Sequence, residues 1–354
     1  MGLFKTNKVK CDIGSYIHYW RGVKKSGKTT LFYDLVKEQY GSLEKGLLIS
    51  IGDEIGYQAL DGLVYAEAPS WSDLLEIIDE LVENKSDNEF EVVALDTADE
   101  MIKIAKEEVK RLHKKAKGVA AEFNACLGGY GAPRDKVVEL VDEQLARLRK
   151  AGYGIVIIGH TKIRDITQKN GEAYQQLTSN LSSDYDGIFS NKADIVMTIA
   201  IERDIDENKH INGVDRYMYF RSDGFVDAGG RFGNMPERIE YGAKNYINCF
   251  EAGVKAAIIT DVSDEEIADR KNKERSSRIK KAEVFAQEEK AKDEADELET
   301  KRADFLAVVQ EHFSNADDDT KAKAKSLLAD AGVKKFSDTN LDINVLKEIS
   351  ELFN

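Results

Sequence analysis

Between residues 22 and 29 the chain reads Gly22-Val23-Lys24-Lys25-Ser26-Gly27-Lys28-Thr29, and no other eight residues restrict the possible folds so tightly. Glycines at this spacing let a loop wrap inward and aim successive main-chain N–H groups at one point, where an anion with several oxygens fits. In a GxxxxGK[ST] loop the lysine ammonium meets the β and γ phosphates of a nucleoside triphosphate, and the next hydroxyl holds Mg²⁺. The phosphate-binding set is therefore Gly22, Lys25, Ser26, Gly27, Lys28, Thr29 and Thr30, and the expected cofactors are ATP and Mg²⁺. The apolar run Ile17–Trp20 precedes the loop and the amphipathic stretch Thr29–Gln39 follows it. A helix opening there adds the positive end of its dipole. A basic surface turn would not need this context.

The same chemistry asks for further groups. An acid at the end of a buried strand shares the metal with the loop hydroxyl, and Phe90-Glu91-Val92-Val93-Ala94-Leu95-Asp96 is an apolar run ending in one. Thr29 and Asp96 are the metal pair. A carboxylate near the γ phosphate must orient or deprotonate water. Glu54 is the leading choice, with Asp53 and Glu100 as the alternatives. His160, in Gly159-His160-Thr161-Lys162 at the end of another apolar run, is placed to touch the γ phosphate and pass its presence onward. The catalytic set is then Lys28, Glu54, Asp96 and His160.

Strand-length apolar runs at Ile17–Trp20, Leu47–Ile51, Val92–Leu95, Ile155–Ile158 and Ile195–Ile201 alternate with amphipathic stretches at Thr29–Gln39, Trp71–Val82, Ala98–Lys117 and Asp135–Lys150. This alternation predicts an α/β fold with a mainly parallel central sheet between helices. Ser70 with Asp73 has the form of a helix cap. Cys126–Arg134, with three glycines, reads as a flexible loop between two helices. Asn170-Gly171 marks a hairpin or mobile loop between Ile163–Gln168 and Ala173–Leu177. Arg216–Arg221 reads as a last strand.

Beyond Asp261 large apolar residues thin out among Lys, Arg, Glu and Ala, with no sustained heptad. Three regions follow: an ATPase core over 1–260, a charged, solvated helical linker over 261–300, and a small helical module over 301–354 built on residues such as Phe305, Val309, Leu328 and Leu346. The net charge of −14 is partly concentrated in this tail. It argues against a surface coated for nucleic acid but leaves room for a local basic groove. No run reaches the roughly 18 apolar residues of a membrane span. Three scattered cysteines form neither a metal-ligand spacing nor an even disulfide set, which suits a reducing cytoplasm.

With these residues in place, the chain resembles the phage RecA-like P-loop ATPases of single-strand annealing and recombination, over roughly residues 10 to 255. Ala193-Asp194-Ile195-Val196 and Gly230-Arg231-Phe232-Gly233-Asn234-Met235-Pro236-Glu237 carry the more specific part of the likeness. The resemblance implies a RecA-like fold, a catalytic glutamate at Glu54, a metal acid at Asp96 and a γ-phosphate sensor at His160, where cellular recombinases carry Gln. It further implies two DNA-facing loops, at Cys126–Arg134 and about Lys162–Asp186. Tyr130, Arg134, Lys162, Arg164 and Lys169 would there neutralise phosphates or stack on bases. A positive side chain reaching a neighbouring subunit's γ phosphate would be Arg221 or Arg231. The partners implied are single-stranded DNA and further copies of the chain.

Two other functions compete. A nucleotide or small-molecule kinase would need an arginine-rich lid, and no clear one is present. A nucleotide-gated scaffold would use the charged tail to bind a replication or recombination partner.

Overall fold

The computed structural model describes residues 6–169, 171–205, 211–259 and 262–353, which fall into two compact units, Met1–Phe285 and Ala286–Asn354. In the first unit the elements alternate: β1 (Ile17–Gly22), α1 (Lys28–Tyr40), β2 (Gly46–Ile51), β3 (Tyr65–Ala68), α2 (Trp71–Glu83), β4 (Val92–Asp96), α3 (Ala98–Lys117) and α4 (Ala132–Lys150). Then come β5 (Gly154–Thr167), β6 (Ala173–Ser179), α5 (Ser183–Ser190), β7 (Ile195–Ile205), β8 (Ile211–Tyr219), β9 (Gly229–Gly230), β10 (Arg238–Glu240) and α6 (Ala243–Ala257). The helix α7 (Asp264–His312) follows, and α8 (Asp318–Asp330) and α9 (Ile343–Glu351) close the chain.

The sheet runs in the order β10-β8-β7-β1-β5-β4-β2-β3. From β3 across to β7 every pairing is parallel, and β8 and β10 extend it antiparallel. A parallel sheet needs cover on both faces, and its strands therefore read as continuous apolar runs. One face packs on α2, α3 and α4 through Leu74, Ile78, Met101, Ile102, Val141 and Leu145. The other packs on α1 and α6 through Leu31, Phe32, Leu35, Tyr246 and Phe250. β1 lies at the centre with all six residues buried. His18 and Trp20 share one phenol: His18 Nδ1 lies 2.7 Å from Tyr246 Oη, and Trp20 Nε1 donates to that oxygen at 3.0 Å, while His18 Nε2 lies 3.1 Å from Ile13 O. Burial pushes His18 toward its neutral form.

Local signals account for several boundaries. Ser70 and Asp73 close a reciprocal capping box at the start of α2. Gly41 and Gly118 end α1 and α3 in the left-handed conformation. The expected flexible loop at 126–134 is more ordered than its glycines suggest. Phe123–Gly128 forms 3₁₀ turns with Cys126 buried, Leu127 N–H donates to His113 Nδ1 at 3.0 Å, and α4 already begins at Ala132 with Pro133 in its first turn. β3, α5 and α6 are elements that the sequence did not announce.

β5 belongs to two sheets. Ile155–His160 pairs parallel with Ile17–Gly22 of β1, and Thr161–Thr167 then pairs antiparallel with Ser179–Ala173 of β6. The expected hairpin is thus the outer continuation of a core strand. Gln168 N–H donates to Glu172 O at 2.7 Å near its turn, while Asn170 lies outside the described residues.

The linker expected over 261–300 needs correcting. The division between units falls at Phe285/Ala286, because the first part of α7 packs on the α/β unit. Ile267, Ala282 and Phe285 are buried there. Glu274 accepts the N–H groups of Cys11 and Asp12 at 2.8 and 3.0 Å and the Ser15 hydroxyl at 3.0 Å. Arg275 Nε donates to the fully buried Asp12 at 2.5 Å, and Arg278 reaches Glu91 at 2.7 Å. The second unit has its own core, with Val309, Leu328, Leu341, Leu346 and Ile349 buried and Phe313 set edge-on to Phe336 and Phe353. Among the described residues no helix is long and apolar enough to cross a membrane.

Candidate functional site

Strand polarity decides where the site lies. In a parallel sheet the carboxyl ends of the strands share one edge, and ligands bind in the crevice outside it. β1 ends at Gly22, paired with His160 on β5, and β4 ends at Asp96, paired with Ile158 on β5 and Ser50 on β2. β5 is therefore interposed between the strand that feeds the Gly22–Thr29 loop and the strand that ends in Asp96. Around this edge one pocket is lined by Lys24, Lys25, Gly27, Lys28, Thr29, Thr30, Glu54, Ile55, Gly56, Asp96, Thr97 and His160.

Both loop glycines are required by space. A Cβ on Gly22 would sit 2.5 Å from Ser26 Oγ. Gly27, the residue before α1, has φ +98°, and a Cβ there would meet Tyr241 Oη at 2.6 Å and an Arg216 nitrogen at 2.9 Å. Ser26 itself is fully buried, and Lys24 and Lys25 are exposed at the pocket rim. Lys28 Nζ donates to the carbonyls of Gly22 and Val23, each at 3.0 Å, two bonds from a group with three donors. Burial lowers the pKa of this ammonium, against the pull of Asp96, Glu54 and Asp99.

Thr29 and Asp96 meet directly: the Thr29 hydroxyl donates to Asp96 Oδ2 at 2.8 Å. Burial pushes the Asp96 carboxyl up to about 6, opposed by the Thr29 bond and reinforced by Glu54. A carboxylate so short of compensation favours an added cation. Among the described residues no cluster of three or more His, Cys, Asp or Glu could hold a metal alone. One hydroxyl and one acid, completed by phosphate oxygens and water, match what Mg²⁺ takes from a protein. The three carboxylates weighed as base separate cleanly. Asp53 and Glu100 both bind Lys103, at 3.2 and 2.9 Å, whereas Glu54 lines the pocket and acts electrostatically on both Lys28 and Asp96.

His160 comes with two partners that sequence reasoning missed. Its main-chain N–H donates to Asp99 Oδ2 at 2.9 Å, and its Nδ1 lies 3.3 Å from the same oxygen. Asn180 Nδ2 donates to Asp99 Oδ1 at 2.9 Å. Burial alone would raise the Asp99 carboxyl, but the His160 imidazole, the Asn180 amide and the His160 N–H together hold it below the ordinary carboxylate range. Two aspartates three residues apart are thus pushed in opposite directions by their surroundings. A second missed group braces the loop from behind. Arg216 donates to Ser26 O at 3.3 Å, Tyr241 Oη donates to Gly27 O at 2.8 Å, and the guanidinium lies 4.4 Å from the centre of the Tyr241 ring. Neither residue carries a local sequence signal.

The residues expected at DNA are not gathered in one way. Tyr130 is fully exposed, and Lys162 and Lys169 are exposed on the β5–β6 hairpin. Arg134 is ion-paired, with Asp184 at 3.0 Å and Asp135 at 3.4 Å. Arg164 is turned inward, donating to the carbonyls of Ser179 and Leu181, so it closes the base of the hairpin. Of the two arginines expected to act across subunits, Arg221 is exposed just after β8. Arg231 binds Asp194 at 2.7 Å, and Asp194 in turn accepts the N–H of Ile17 at 2.8 Å. That places Arg231 at the start of β1, one strand length (roughly 16 Å) from the chain's own phosphate loop.

No curated protein matches the chain. The profile of one family, described as AAA domain, matches residues 17–232, more than half of the sequence. The match begins at the first residue of β1 and takes in the loop, Glu54, Asp96, Asp99 and His160. With the loop at the carboxyl edge of a parallel sheet and its hydroxyl on a buried acid, the chain belongs to the AAA domain family of P-loop nucleoside triphosphatases.

Proposed function

We propose that this protein is a magnesium-dependent ATPase acting on single-stranded DNA in phage-type recombination, annealing or replication, and that it works as a homo-oligomer. One observation carries the reading: a single strand, β5, contributes His160 to the nucleotide pocket and then leaves the sheet as an exposed hairpin. Lys162 and Lys169 are exposed on it, and Ile163 and Tyr174 are 54 % and 37 % exposed. Lysines neutralise backbone phosphates, and aromatic rings give bases a sequence-tolerant surface to stack on. The hairpin is the part of the second expected DNA-facing loop that supports this reading best.

In this reading Lys28 and the loop amides would hold the triphosphate, while Thr29 and Asp96 would hold Mg²⁺, which would supply charge neutralisation. Glu54 orients and deprotonates the attacking water. His160 senses the γ phosphate. A neighbouring copy's Arg221 or Arg231 completes the site, and the charged C-terminal tail offers a surface for a replication or recombination partner.

The test is an ATPase assay with and without single-stranded DNA, on the intact protein and on Lys28→Ala. Turnover rises at least tenfold with DNA for the intact protein and is abolished in the variant. A rate indifferent to DNA, together with no DNA binding at low salt, would overturn the DNA assignment and leave the ATPase standing.

A further inference from the structure

Asp99 does not line the pocket, and helix geometry alone does not explain it. Thr97 is already the cap of α3, accepting the Glu100 N–H. An acid in the first turn of a helix gains from the dipole wherever it points. Asp99 instead spends both oxygens on partners far away in sequence. Oδ2 takes the N–H and Nδ1 of His160, and Oδ1 takes the side-chain amide of Asn180. Asn180 is the first residue after β6, and its own N–H donates to His160 O at 2.8 Å. The carboxylate therefore joins the pocket end of β5 to the returning end of the hairpin. Arg164, bonded to Ser179 O, braces the same junction from the hairpin side.

The approach of Nδ1 to within 3.3 Å of Asp99 Oδ2 also orients the imidazole. With a proton on Nδ1 facing Asp99, Nε2 is the nitrogen left for the pocket that His160 lines. We propose that Asp99 is the positioning residue that couples the nucleotide pocket to the β5–β6 hairpin, so that a change at His160 Nε2 shifts Asp99, Asn180 and the hairpin base together. This rests on the ATPase reading above and deepens it, by naming the group through which nucleotide state reaches the hairpin.

Asp99→Asn separates coupling from binding. A carboxamide has one acceptor oxygen and one NH₂, so it must turn a donor toward either His160 or Asn180, where a donor already waits. One arm of the junction is then lost while the loop, Thr29 and Asp96 are untouched. The readout is hydrogen–deuterium exchange of Thr161–Ser179 with Mg²⁺ and either ADP or the non-hydrolysable analogue AMP-PNP. In the intact protein AMP-PNP slows exchange across the hairpin and ADP does not. In Asp99→Asn, AMP-PNP binds within about threefold of the intact protein, but the difference between nucleotides shrinks at least fivefold. Asn180→Ala, which removes only the outer arm, shows the same loss and serves if Asp99→Asn does not fold. Both variants responding like the intact protein would overturn the proposal. So would an intact hairpin indifferent to AMP-PNP that is demonstrably bound, and the ATPase reading would then survive. No binding of AMP-PNP by the intact protein would sink that reading as well.

Discussion

The two edges of the sheet handle buried charge in opposite ways. At the strand beginnings three acids find partners: Asp12 has Arg275 and Arg278, Glu274 has two main-chain N–H groups and a hydroxyl, and Glu91 has Arg278. At the strand ends, Asp96 and Glu54 share the field of one ammonium that is already donating to two carbonyls. The first arrangement is complete and holds α7 in place. The second is left in deficit, and a deficit of positive charge beside Asp96 and Glu54 is what a bound Mg²⁺ would correct, while Lys28 and the loop amides would meet the negative charge of a triphosphate. Asp99, at the same edge as the pocket, is satisfied like the acids around α7, so the deficit is confined to Asp96 and Glu54.

Four measurements break or sharpen this contrast, taken in order of expected effect. Replacing Arg275 and Arg278 together by Ala leaves Asp12 buried without its cations, and urea melts should show a loss of about 3–5 kcal/mol. A change under 1 kcal/mol would mean that the α7 edge is not the structural frame described. Next, Lys28→Ala should weaken nucleotide binding by about 1.5–3 kcal/mol, tenfold or more by equilibrium titration, with little change in folding stability.

Asp96→Asn then tests the deficit itself. The folded carboxyl titrates at about 6, above its unfolded value of 3.8, so the stability that its protonated form contributes is present below pH 4 and lost as the pH rises through 6. The variant should match the intact protein at pH 4 and exceed it by about 2 kcal/mol at pH 8, without Mg²⁺ or nucleotide. An equal or lower stability at pH 8 would refute the account. The smallest effect is at Tyr241→Phe, which keeps the ring beside Arg216 but loses the bond to Gly27 O, for about 0.5–1.5 kcal/mol in nucleotide affinity.

What the sequence disclosed follows the range of the interactions involved. The phosphate loop is eight consecutive residues whose spacing is dictated by the ligand, and Asp96 ends an apolar run, so both could be read locally. The parallel core was legible because strands buried on both faces leave continuous apolar runs. β3 was not, since Tyr65-Ala66-Glu67-Ala68 is an edge strand with two of its four residues exposed. Asp99 could not be found this way, because its role exists only where residues 61 and 81 positions away meet it. The first part of α7 misled for a different reason. It docks through Glu274, Arg275 and Arg278, and a helix held by charged side chains has the composition of a solvated one.

The double membership of β5 carries a mechanical consequence. There is no joint between His160 and Thr161: the strand passes from one ladder of hydrogen bonds straight into the next. The outer arm from Thr161 to Thr167 is roughly 20 Å long at the usual rise per residue, so it works as a stiff lever with its fulcrum at the pocket. A tilt of about 5° at that fulcrum carries the far turn roughly 2 Å. A small tilt of the strand at His160 would thereby be magnified at the far end of the hairpin without any segment having to refold.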